Sequence, residues 1–214
     1  MVQDVKFYFD PRCPWCYQTF KWAERLAAMG EVSLDWGVFS LEVLNCEEGK
    51  DPLELEATGS PQLRTAITIE RDHGSRAIGP FYTELGNRTF EQSEPADDPM
   101  QVISDSLAAS GLDSGLLSKA LDDPTTWKTV VEETQRLHEV VGDVGVPTIV
   151  LDGGSGPAIF GPVIVEQPSD EDAVELWRHI EWLTRHESFA ELKRKRSGRP
   201  DLPLMDHYAR LRRK

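Results

Sequence analysis

The chain has 214 residues, enough for one large domain or a core carrying an insertion, and a formal net charge of −14. That acidity argues against nucleic-acid binding by the body, no apolar run approaches bilayer length, and no basic-then-apolar leader precedes the first strand, so no membrane and a cytoplasmic address are expected. The charge is uneven: residues 193–214 hold nine Lys/Arg against Asp201 and Asp206, which leaves residues 1–192 at −21. A basic tail on an acidic body is expected to fold back on it or stay solvated.

Val5 to Phe9 mixes β-branched and aromatic residues and reads as a buried central strand. Cys13-Pro14-Trp15-Cys16 follows, and Phe20, Ala23, Leu26 and Ala27 then recur at helical steps up to Gly30. A helix beginning at about Cys13 tolerates Pro14 in its first turn and points its unsatisfied N–H groups at Cys13. Cys13 is therefore the expected low-pKa attacking sulfur, and Cys16, one turn on, the resolving one. The competing reading, half a zinc site, needs a second pair of ligands; only Cys46 and no His-x3–5-His pair is available, so no metal is expected.

Val32 to Phe39 alternates and reads as a second strand, parallel to the first because a full helix separates them. Residues 45–59 are acidic and turn-rich. Helices are expected over Gln62–His73, Arg76–Arg88, Pro99–Ser110, Ser114–Leu121 and Thr125–Val141, with no strand among them. The sheet resumes over 145–151, read as a turn followed by a strand, and then come a hairpin signal at Asp152-Gly153-Gly154, a short strand over Ala158–Phe160 and a helix from Asp170 to His186. The remainder reads as an extended tail with a short helix near Asp206–Arg212. The expected organisation is an α/β core of residues 1–44 and 143–192, an inserted helical subdomain of residues 45–142 between the second and third strands, and a basic tail of residues 193–214.

Strand, CPWC, helix, long helical insertion and Val146-Pro147-Thr148-Ile149 before a hairpin together resemble the DsbA-like branch of the thioredoxin superfamily. More narrowly, Phe9-Asp10-Pro11-Arg12-Cys13-Pro14-Trp15-Cys16, Ser40-Leu41, Leu44-Asn45, Phe160-Gly161-Pro162-Val163 and the run from Glu187 to Arg196 resemble the actinobacterial mycothiol-dependent nitroreductases. That resemblance implies a thioredoxin-like fold and an enzyme that is a thiol-disulfide oxidoreductase. It implies reduction of disulfides or small electrophiles, nitro compounds among them, by mycothiol or a similar low-molecular-weight thiol as co-substrate, with no tightly bound cofactor and a redoxin as a possible partner. It also implies a cis Pro147 beside the dithiol, with Val146 extended for pairing to an incoming substrate. Pro14, Trp15, Val146 and Pro147 are the expected substrate-binding residues. Potentials in this superfamily run from about −270 mV for thioredoxin to about −120 mV for DsbA. Trp15 stands where the oxidising enzymes carry a His, so a reducing role is expected.

Two other readings stay open: a kappa-class glutathione transferase or 2-hydroxychromene-2-carboxylate isomerase, which shares the insertion but typically uses a serine near the first helix, and a non-catalytic thioredoxin-like adaptor. Cys46 is expected to be a non-functional, partly buried thiol, and Trp15 to stand exposed beside the dithiol or to pack on the insertion. Arg12 either lends charge to Cys13 or is solvated. His73 and His138 are expected on helix surfaces, and Tyr8 and Trp36 in the core. The oligomeric state is not legible.

Overall fold

The first strand is the seam of the molecule: Val5, Phe7, Tyr8 and Phe9 are all buried. In the computed structural model, which describes residues 2–55, 57, 59–142 and 145–212, β1 (Gln3–Phe9) is flanked by β2 (Val32–Val38) and β3 (Thr148–Leu151), and β4 (Ala158–Phe160) closes the order β2-β1-β3-β4. β1 and β2 run parallel with Phe7 opposite Trp36. β3 is antiparallel to both β1 and β4, with Tyr8 opposite Thr148. Residues 145–147 form the bend expected ahead of the third strand, and a tight helical turn over Asp152–Gly154 begins the β3–β4 connection.

Helix α1 (Pro14–Ala28) makes the crossover from β1 to β2. A short helix α2 (Leu41–Leu44), capped by Ser40 and not anticipated, follows β2. Then come α3 (Ser60–His73), α4 (Ile78–Phe90), α5 (Pro99–Ala109), α6 (Gly115–Asp122) and α7 (Pro124–Val141), within about two residues of the expected bounds. Prolines in the first turns of α3, α5 and α7 and aspartate caps at Asp98 and Asp123 explain these starts, since each cap accepts a backbone N–H that the helix leaves unpaired. Helix α8 (Asp170–Thr184) is capped by Ser169. The final helix α9 (Pro203–Leu211) begins three residues earlier than expected, its proline pre-setting the first turn.

The core is aromatic where α1 and α4 meet one face of the sheet. Phe9 stacks on Tyr82 of α4 at 3.9 Å between ring centroids, Phe20 of α1 lies 4.6 Å from Tyr82 and 5.1 Å from Trp36, and Phe7 meets Trp36 edge-on. Each such pair contributes roughly 0.5–1.5 kcal/mol beyond the area it buries. The other face takes α7, whose Arg136 donates to the Tyr8 hydroxyl. Tyr8 and Trp36 are core residues, as expected. The helices between β2 and β3 thus share one hydrophobic core with the sheet.

The tail is pinned to the body at several points among its described residues. Pro200, Leu202 and Leu204 are buried, α9 packs on α4, and the Asp201 N–H donates to the Val165 carbonyl at 2.7 Å. The tail folds back at these apolar positions, while residues 191–199 stay exposed. Two leucines and a proline supply apolar burial that the charge pattern alone did not suggest.

Candidate active site

The amino end of α1 is built around Cys13 itself, which is the helix N-cap. Its backbone is extended, its N–H donates to the Asp10 carbonyl at 3.0 Å, and its sulfur accepts the Cys16 N–H at 3.3 Å. A residue that usually caps through a side-chain oxygen is here replaced by sulfur, so the helix terminus and the thiolate stabilise one another. Pro14 occupies the first helical turn, where its missing N–H costs nothing. Cys13 and Cys16 are both free thiols, 7 % and 0 % exposed.

The two sulfurs are pushed apart in acidity. Cys13 is lowered, foremost by the hydrogen bond from the Cys16 thiol and further by the Cys16 and Trp15 N–H groups, while burial and the Asp10 carboxylate oppose the shift. Cys16 is raised well above an ordinary thiol, first by burial and then by Cys13. The ionised form is thus favoured at Cys13 and the protonated form at Cys16. Ultraviolet thiolate absorbance, taken as the difference between the chain and its Cys13→Ser variant, should therefore show Cys13 titrating below the ordinary value of about 8.5. A midpoint at or above that value would contradict the arrangement.

Asp10 is the residue of this site that the sequence reading passed over. Its carboxyl is 3 % exposed and accepts the Arg12 N–H and the Leu41 N–H, each at 2.8 Å, tying the loop before α1 to the start of α2. Burial holds its pKa up, against those two hydrogen bonds. Tyr82 is the second. It is fully buried, its hydroxyl is among the buried polar atoms without a partner, and burial followed by the charges of Cys16 and Cys13 raises its pKa well above the ordinary value. The only advance signal for Asp10 was Asp-Pro as a turn opener; Tyr82 lies 66 residues from Cys16 along the chain and had none.

Val146-Pro147 is cis, as expected, and so is Gly161-Pro162, which was not anticipated. Val146 and Pro147 are buried. Continuing the antiparallel register of β3 on β1 puts Pro147 across from Phe9, next to the loop that carries Cys13. Trp15 is half-buried rather than exposed, with the Arg196 guanidinium 4.6 Å from its ring centroid. Of the two expectations for Arg12, neither describes it fully: it pairs with Glu42 at 3.1 Å. Cys46 is partly exposed and lies near the Lys50 carbonyl. His73 is exposed at the end of α3 and His138 half-buried on α7.

Among the described residues, no group of three or more His, Cys, Asp or Glu is arranged to hold a metal, and no helix is long and apolar enough to cross a membrane. A shallow groove of about 700 Å³ lies along α8 between Arg178, Trp182, Arg185 and His186, and contains neither Cys13 nor Cys16. That groove is separate from the cysteine pair at the head of α1.

Residues 12–194 match the family model described as Rv2466c-like, mycothiol-dependent nitroreductase Rv2466c. An uncharacterized protein of Mycobacterium tuberculosis (strain ATCC 25618 / H37Rv), Rv2286c, is 33 % identical over 195 residues, covering 90 % of this chain and 82 % of that one. The fold is similar to a putative protein disulfide isomerase from Nitrosomonas europaea (TM-score 0.57, 12 % identity, 87 % of this chain and 100 % of that one). It is also similar to a 2-hydroxychromene-2-carboxylate isomerase (0.57, 15 %, 88 % and 100 %) and to the cytosolic disulfide reductase DsbM of Pseudomonas aeruginosa (0.54, 13 %, 84 % and 99 %).

Proposed function

The chain belongs to the Rv2466c-like mycothiol-dependent nitroreductase family and has a DsbA-like thioredoxin fold, and from that membership we propose that it is a cytoplasmic thiol-disulfide oxidoreductase whose Cys13-Cys16 dithiol is recharged by mycothiol. The observation that carries this reading is the split between Cys13, lowered, and Cys16, raised, at the head of α1. Cys13 is the nucleophile and Cys16 the resolving thiol. Pro14 and Trp15 border the approach, and Val146 and Pro147 present the backbone that an incoming substrate meets. Residues 1–44 and 143–192 form the redox core and residues 45–142 the insertion whose α4 closes over it; Asp143, at the boundary, lies outside the described residues.

In the forward step the Cys13 thiolate attacks one sulfur of a disulfide, the S–S bond breaks, and the departing thiolate takes up a proton. Cys16 gives up its proton, attacks the Cys13 sulfur, and expels the second thiol; the substrate has gained two electrons and Cys13-Cys16 is oxidised. A nitro group takes the same two electrons and two protons to become nitroso and water. Two mycothiol molecules then return the protein to the dithiol and leave as their disulfide. Charge-assisted stabilisation of Cys13 by a His is absent from the sequence between the cysteines, which favours reduction as the working direction.

The isomerase shares the fold alone, and the paired cysteines have no use in isomerisation; an adaptor has no need of an acidic thiol one turn from a protonated one. With the oxidised protein as substrate, mycothiol should restore both thiols and sustain reduction of a model aromatic disulfide. A Cys13-Cys16 disulfide that persists in excess mycothiol would overturn the assignment of reductant, whereas restored thiols without turnover on any disulfide or nitroaromatic would overturn the assignment of substrate.

A further inference from the structure

The family match ends at residue 194, and the chain beyond it returns to the dithiol. From residue 190 to Leu202 the backbone crosses the molecule without helix or strand. It is fixed where Asp201 donates to the Val165 carbonyl, where Leu202 and Leu204 are 0 % and 5 % exposed, and where α9 lies on α4. Gln18 on α1 donates to the same Val165 carbonyl at 3.0 Å, so this anchor touches the dithiol's own helix. The clasp is braced internally by Arg199, which pairs with Asp206 of α9.

What the clasp holds in place is Arg196, whose guanidinium carbon stands 4.6 Å from the centroid of the ring between the two cysteines. Arg12, at the head of the same helix, is spent on the Glu42 carboxylate. Among the described residues the partner of Arg196 is the Trp15 ring. Stacking on a ring face consumes none of the five guanidinium N–H donors, which stay directed for planar recognition of an anion such as a carboxylate. Lys193, Arg194 and Lys195 precede it and are exposed, while residues 1–192 carry −21. The acidic body works against the approach of an anion, and the Lys193–Arg196 cluster favours it at this lip.

We propose that Arg196, held on Trp15 by the clasp of residues 195–211, is a specificity-determining residue that selects substrates carrying a carboxylate or comparable anionic group beside the atom Cys13 attacks. It takes no part in sulfur chemistry and acts on the anionic group of the incoming substrate. The inference rests on Cys13 being the nucleophile, and its test separates the two claims.

Iodoacetate and iodoacetamide alkylate thiolates at the same carbon with the same leaving group and differ in charge. Their rates at Cys13 are read by peptide mass spectrometry on the reduced full-length protein, with Cys46 as the internal reference. Arg196→Gln should lower the iodoacetate-to-iodoacetamide rate ratio at Cys13 by about three- to tenfold, the size expected for one nearby partly solvated charge. Arg196→Lys should keep most of the ratio, and the ratio at Cys46 should not move. Because both rates share one thiolate, changes in Cys13 acidity cancel. An unchanged ratio in Arg196→Gln overturns the proposal, as does an equal rise of both rates, which would make the clasp a steric cover without charge selection. Failure of either reagent to modify Cys13 in the unaltered chain would overturn the nucleophile assignment, and this inference with it.

Discussion

Cys13→Ser should abolish turnover, by at least about a thousandfold, while Cys16→Ser should turn the protein into a trap. The two variants differ because the two sulfurs hold different positions on one helix turn. Cys13 caps α1 and is stabilised as an anion; a serine hydroxyl there cannot ionise near neutral pH, and the first bond is never made. Cys16, fully buried behind it, is needed only after the mixed disulfide exists. With serine at 16, the adduct on Cys13 has no intramolecular exit and accumulates. Intact-mass measurement after exposure to mycothiol disulfide or an aromatic disulfide should show one adduct on Cys16→Ser, located on Cys13, and none at that position on Cys13→Ser. Adducts found instead on Cys46, or Cys13→Ser retaining a tenth of the parent rate, would show that the reactive thiol is elsewhere.

The helix start that carries Cys13 and Cys16 was legible because it depends on neighbours in sequence. Strand, turn, cap, first-turn proline and helix are all local, and each left its own mark between Val5 and Leu26. The cis state of Val146-Pro147 followed only through the family resemblance, and Gly161-Pro162 shows that the same bond elsewhere carried no comparable signal. Asp10 was missed because its meaning lies in a partner 31 residues away, the Leu41 N–H, at the head of a four-residue helix too short to have a period. Tyr82 looked like any aromatic on an amphipathic helix, and its place against Phe9 is set by how α4 lands on the sheet. In the tail, Leu202-Pro203-Leu204 has neither helical nor strand spacing. Its burial is decided by α4, over a hundred residues earlier, and charge counting therefore described a segment whose fixed points are apolar.

Gly86 of α4 lies directly against Tyr17 on the dithiol's helix, and Gly86→Ala should be among the most damaging single-methyl changes in the chain. A β-carbon at 86 would lie 1.9 Å from Cε2 and 2.3 Å from Cδ2 of Tyr17, the residue directly after Cys16. The ring has no room to yield. Tyr17 is 1 % exposed, stacks on Phe90 at 5.1 Å, and donates its hydroxyl to Asn87 Oδ1 at 3.0 Å. Alanine gains about 1 kcal/mol of helix propensity over glycine, but forced overpacking costs about 1–3 kcal/mol and more where neither side can move. The balance should be a net loss of about 2 kcal/mol, a fall in melting temperature of roughly 4–8 °C for a chain this long. Since the strain enters one residue from Cys16, alkylation of Cys13 should slow as well, even where the variant is fully folded. Tyr17→Leu should be destabilising alone yet relieve Gly86→Ala, so that the double variant is more stable than the two losses predict. Strict additivity, or a Gly86→Ala protein that melts with the parent, would mean that α4 can slide on α1 and that the insertion is not what fixes the geometry of the dithiol.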